Sequence, residues 1–183
     1  MNYIKPDQFF KQSKEVQQLF LDNWNPEVGD LIGIKVEYID LEWNTKFKYK
    51  VNCINEDDIF NYDSKKELLD SFKTLGYHNY SDETVPLFTE EQLRKFIEDN
   101  TNCIIDIQHD ISIGYCFYLF KKNTDILLYK YEDGKLGHNL LQAYWKVACK
   151  IAKEIINFEE YTNRMMKQSF INSIHKIINK EGE

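Results

Sequence analysis

No glycine or proline interrupts the chain from Asn139 to Lys180. Leu141, Tyr144, Val147 or Ala148, Ile151 and Ile155 recur through it at helical spacing, with Lys146, Lys150 and Lys153 on the opposite side. That is the pattern of an amphipathic helix. The run predicts either one bent helix or two helices hinged near Asn157–Asn163. Its far end carries Met165, Phe170, Ile174 and Ile177 or Ile178, with Arg164, Lys167 and Lys176 as the charged side. This second stripe is expected to pack on its own domain, or else to form a dimer or partner surface over residues 160–180.

Upstream of that helix, residues 85–158 read as a helix–three-strand–helix unit. Thr89-Glu90-Glu91-Gln92 is a capping box, in which the threonine hydroxyl serves the N3 amide and the glutamine reaches back. Phe88 and Leu93 are spaced for the accompanying hydrophobic staple, and Leu93, Phe96 and Ile97 mark the inward face of a helix ending near Asn100. Strands follow near Cys103–His109, Tyr115–Lys121 and Ile126–Tyr131. Their short connections predict an antiparallel meander.

Residues 1–84 open with Pro6 at a first helical position and Ser13 as N-cap of a helix over Lys14–Asp22. Asn23–Asp30 has turn chemistry. Leu31–Asp40 and Thr45–Ile54 predict a β-hairpin, whose second strand alternates Lys46, Lys48 and Lys50 with apolar residues. Asn55–Asp63 reads as an acidic loop and Asp63–Leu75 as a helix, capped by Asp63 or Ser64 and ended by Gly76. Tyr77–Thr84 reads as a linker or inserted loop. The expected class is α+β: an antiparallel sheet (hairpin plus three-stranded meander) packed against helices, with a long C-terminal helix or helix pair. The organisation is residues 1–84, 85–158 and a C-terminal amphipathic helix over 159–183, as one compact domain.

Charge narrows the function. The net charge is −7, and residues 22–110 carry 20 acidic and 9 basic side chains while 111–183 carry 8 and 11. The front half therefore repels phosphate and attracts basic surfaces. Direct nucleic-acid binding there is disfavoured, because it needs clustered Lys and Arg. The carboxylates expected to meet a basic partner are Glu56, Asp57, Asp58, Asp63, Asp82 and Glu83.

Catalytic patterns are missing. His109-Asp110 could supply two metal ligands, yet His78, His138 and His175 lie far away in sequence with no i,i+4 partner. The Asn55–Asp63 acids fail EF-hand spacing: Ile59 takes a ligand position, no glycine makes the turn, and the twelfth position is Lys66. Cys116 could face His109 across a hairpin, but its apolar strand offers nothing to lower a thiol pKa. Phosphate-binding glycine loops are absent. The aromatics Tyr115, Phe117, Tyr118, Phe120, Tyr129 and Tyr131 are read as core rather than as a base-stacking sheet. No cofactor, metal or catalytic residue is assigned. The four cysteines, none in a CxxC pair, read as free buried thiols. The start has no apolar signal segment, and no apolar run reaches the roughly 18 residues of a membrane span. The expected location is the cytoplasm.

The segments Pro26-Glu27-Val28-Gly29-Asp30-Leu31, Pro86–Asp99 and Leu140–Ala148 resemble small prophage-encoded proteins of Firmicutes over residues 13–158. The resemblance transfers no active-site residue. It implies a phage or mobile-element setting in a bacterial host. There, small acidic proteins inhibit host factors, including CRISPR nucleases, by occupying basic nucleic-acid surfaces. The expected function is thus a non-enzymatic, anti-CRISPR-like inhibitor that binds a CRISPR effector or other host nuclease. The alternatives are a small metal-dependent hydrolase or nuclease, and a structural or regulatory prophage protein that dimerises through its C-terminal helix.

Overall fold

Capping chemistry marks most helix starts. In the computed structural model, α1 (Pro6–Phe10) begins with proline at its first position, and Ser13 accepts the Val16 amide at the head of α2 (Lys14–Asn23). Ser64 accepts the Glu67 amide as α4 (Lys65–Thr74) begins. Thr89 and Gln92 close the expected box at α5 (Glu90–Thr101): the Gln92 amide donates to Thr89 Oγ1 at 3.4 Å, and the Thr89 amide to Gln92 Oε1 at 3.0 Å. Asn139 accepts the Gln142 amide at 2.9 Å before α6 (Leu140–Lys180). The structure describes residues 2–62, 64–74, 80–132 and 134–180, with side chains left undescribed at 72–74, 80–83 and 168–180.

The fold is α+β, built on two three-stranded antiparallel sheets. The first pairs β1 (Leu31–Ile39) with β2 (Thr45–Cys53) in the expected hairpin, Leu31 opposite Cys53 and Ile39 opposite Thr45. Asp40 shapes its turn, accepting the amides of Glu42 and Asn44 at 2.8 and 2.9 Å and pairing with Lys46 at 2.6 Å. The second sheet is the meander β4 (Cys103–Asp110), β5 (Gly114–Lys121) and β6 (Leu127–Tyr131).

Two local expectations need correction. The stretch read as a linker supplies a third strand, β3 (Tyr80–Pro86), on the free edge of β1, with Ile32 opposite Pro86 and Gly33 opposite Val85. Its sequence is too polar to announce a strand; the unpaired backbone of β1 recruits it. The acidic loop after β2 contains a helical turn, α3 (Glu56–Phe60). Asn55 accepts the Asp58 amide at 3.0 Å, and Asp58 accepts the Asn55 amide at 2.9 Å. Gly76 and the capping role given to Asp63 lie outside the described residues.

Leu140–Lys180 is one continuous helix, which removes the hinge expected near Asn157–Asn163. Its first half is the spine of the core. Phe20 of α2, completely buried, lies with its ring centroid 4.4 Å from Phe96 of α5 and 5.0 Å from Trp145 of α6. Phe88 stands 5.4 Å from the same ring. One apolar cluster therefore joins residues before position 84 to the unit after it. Leu93, Phe96 and Ile97 face inward as their spacing predicts. Stripe residue Met165 is exposed rather than packed on the body.

Candidate partner-binding cleft

The turn after α2 is organised by Asp30. Its Oδ2 accepts the Trp24 indole N–H at 3.0 Å and the Glu27 amide at 3.1 Å, and its Oδ1 accepts the Gln92 side-chain amide at 2.8 Å. Gln92 thus works twice, holding the N-cap of α5 and clamping the turn to that helix. The turn is also tied to the end of the hairpin: the Gly29 amide donates to Ile54 O and the Ile54 amide to Asp30 O, both at 2.8 Å. Gly29 makes this possible with a φ of +97°, a region glycine enters at little cost.

Between this turn, the end of α2 and the outer face of α5 lies a cleft of about 320 Å³. Phe20, Trp24, Phe88 and Phe96 form its apolar floor, and Glu27, Glu91 and Asp99 stand on its walls with Lys95. These three carboxylates make no ion pair among the described residues. The negative charge of two of them, Glu27 and Glu91, is felt by Asp30. Burial raises its pKa above the usual carboxylate value, the charges of Glu27 and Glu91 add to that, and the Glu27 amide and Trp24 indole oppose it. The arrangement is a pocket with an apolar floor and mainly acidic walls, chemistry that suits a guanidinium or ammonium group by charge.

No protein-family model, no curated protein and no solved structure matches this chain.

The carboxylates singled out from sequence separate into three groups. Glu56 and Asp57 are exposed on the first turn of α3. They sit just beyond Ile54, the residue bonded to the cleft turn. Asp58 makes the reciprocal cap with Asn55. Asp63 lies outside the described residues. Asp82 and Glu83 fall within β3, and their side chains lie outside what the structure describes. Glu27, Asp30, Glu91 and Asp99 were not singled out. The local sequence shows them only as acids within a negative segment, because the cleft forms across 62 residues of separation between Asp30 and Gln92.

The remaining candidates resolve into packing or surface. His109 pairs with Tyr115 and not with Cys116, whose cross-strand partner is Gln108; neighbouring residues on a strand face opposite ways. His109 Nε2 instead meets His138 Nδ1 at 3.1 Å. Among the described residues, no group of three His, Cys, Asp or Glu could hold a metal ion. Cys103, Cys116 and Cys149 are buried and Cys53 is exposed, correcting the expectation of four buried thiols. Burial pushes the Cys149 pKa up to about 12. Phe117 and Tyr131 are buried, Tyr115, Tyr118 and Phe120 are half-buried, and Tyr129 is exposed. No helix among the described residues is long and apolar enough to cross a membrane.

Proposed function

We propose that this chain is a non-enzymatic accessory protein of a phage or mobile element that captures a basic, nucleic-acid-handling partner through its acidic face. Its concrete form is a counter-defence, anti-CRISPR-like inhibitor of a CRISPR effector or other host nuclease. The observation that carries the reading is the cleft, where Glu27, Glu91 and Asp99 stand with a single base, Lys95, around an apolar floor and make no ion pair among the described residues. Unpaired carboxylates in a concave site favour a cationic visitor. They give it a faster encounter and a defined orientation, and the exposed Glu56 and Asp57 extend the negative surface beyond the turn.

Nucleic-acid-handling proteins present the matching chemistry, Lys and Arg clustered to neutralise phosphate. A protein that covers such a patch competes with nucleic acid without performing a reaction.

The test is binding of the chain to guide-free CRISPR effector nucleases, by calorimetry at low and at physiological salt. Binding should weaken with salt. The Glu27→Lys, Glu91→Lys, Asp99→Lys triple variant should lose about tenfold or more in affinity, at least about 1.4 kcal/mol. No binding to any effector, or an affinity indifferent to both salt and the triple variant, would reject the reading.

A further inference from the structure

Strand β2 is an edge of the first sheet. The strand order is β2-β1-β3, so β2 pairs with β1 alone among the described residues. The two ends of the hairpin show which of its backbone groups that pairing uses. The Asp40 amide donates to Asn44 O at 3.0 Å and the Ile54 amide to Asp30 O at 2.8 Å, so Asp40 with Asn44 and Asp30 with Ile54 are hydrogen-bonded pairs. The register between them runs without a shift, and the two kinds of antiparallel pair alternate along it. Lys46, Lys48 and Lys50 therefore turn their backbone groups toward β1, while Phe47, Tyr49 and Val51 turn theirs to the open edge.

The side chains follow the same alternation. Lys46, Lys48 and Lys50 form a row on one face, three of the nine bases in residues 22–110, and the strand carries no acid. All three are exposed. Lys46 pairs with Asp40 at the turn, and Lys48 lies over the Tyr38 ring. On the other face Phe47 and Val51 are 53% and 39% exposed. Lysine on an edge strand blocks indiscriminate pairing, and here it disfavours a second copy of the same strand. A two-fold axis perpendicular to a sheet keeps each face on its own side. Two β2 strands would thus meet with one lysine row against the other, and like charges directly opposite are destabilising.

We propose that β2 is a docking edge for an extended acidic segment of a partner protein, added antiparallel beside it. Phe47, Tyr49 and Val51 offer that segment main-chain hydrogen bonds, the source of affinity when a peptide extends a sheet. Its residues opposite Lys46, Lys48 and Lys50 then stand in non-hydrogen-bonded pairs, where side chains approach most closely. Acids at those alternate positions gain from the lysine row, and apolar side chains between them lie beside Phe47 and Val51. The inference is independent of the acidic cleft, whose visitor has the opposite charge.

Fluorescence anisotropy of a short labelled peptide alternating Glu with Val, titrated with the full chain, tests it. Binding should saturate and should weaken with salt, and a peptide alternating Lys with Val should not bind. Lys48→Glu with Lys50→Glu should weaken binding about tenfold or more, while the protein melts as the wild type does. A second arm leaves the protein untouched. N-methylation of the Val residues, whose amides face β2, should abolish binding, whereas N-methylation of the Glu residues, whose amides face away, should leave it unchanged. No binding of the Glu–Val peptide, an equal effect of the two methylations, or indifference to the lysine reversals would overturn the inference. So would tighter binding of a single-stranded oligonucleotide than of the peptide, which would assign the lysine row to phosphate.

Discussion

Asp30 and Gln92 meet side chain to side chain at 2.8 Å across 62 residues of sequence. This contact holds the turn after α2 against the start of α5 and so shapes the acidic cleft. Three donors converge on one carboxylate there, the Trp24 indole, the Glu27 amide and the Gln92 amide.

Asp30→Ala strands those donors in a partly buried site, so chemical denaturation should show a loss of about 1–3 kcal/mol. The pH dependence has a definite sign. A carboxyl whose folded pKa is raised binds its proton more tightly when folded. Its contribution is therefore fully present below the unfolded carboxylate pKa and is lost as pH rises through the folded value. Asp30→Asn should remove this component from a stability–pH profile taken through the acidic range. A profile identical in slope to wild type would contradict the assignment.

Asp58 and Asp57 are neighbours with different roles. Asn55→Ala removes the side chain that caps α3 and should cost about 1 kcal/mol, with Asp58→Ala costing a similar amount through loss of the reciprocal bond. Asp57→Ala should stay within about 0.5 kcal/mol, as an exposed side chain with no side-chain hydrogen bond among the described residues. Thermal melts of the three variants distinguish the cap from the free carboxylate.

Gly114 carries a φ of +87°, and a Cβ there would run into the backbone carbonyl of Gly137. The Tyr115 amide donates to that same carbonyl at 2.9 Å, docking the segment before α6 onto β5. Gly114→Ala should therefore destabilise by more than about 1 kcal/mol, combining strain with collision. Gly134→Ala shares the positive φ of +69°, but its nearest neighbour would be 3.9 Å away, so its cost should be the smaller in parallel melts.

Thiol labelling separates the cysteines. Cys53 is the exposed one of the four and should react rapidly with a disulfide reagent at neutral pH. Cys149 should resist, since burial pushes its pKa up to about 12 and the thiolate is the reactive form. Cys103 and Cys116 are buried and should label with it only on unfolding. Two or more thiols reacting at the fast rate in the native protein would refute the burial pattern.

Residues acting within one turn or one strand were readable without coordinates. Ser13, Thr89 and Gln92 announce helix starts because a cap involves neighbours three residues apart. The alternation through Lys46, Lys48 and Lys50, and the spacing of Leu93, Phe96 and Ile97, announce a wet-faced strand and a half-buried helix because each period reports one solvent boundary. These local rules secured the α+β class, the hairpin, the meander and a helical terminal run, but left open whether that run is one helix or two. Others depended on distant chain. Tyr80–Pro86 becomes a strand because β1 offers an open edge, and Phe20 becomes the centre of the core because Phe96 and Trp145 arrive from other helices. The acids of the cleft gain meaning in the same way: Glu27 and Asp30 from one turn face Glu91 and Asp99 from another element. Short-range hydrogen bonding and side-chain periodicity are written along the chain. The convergence of charge and aromatic surface from remote segments arises only when burial of a shared core folds those segments together.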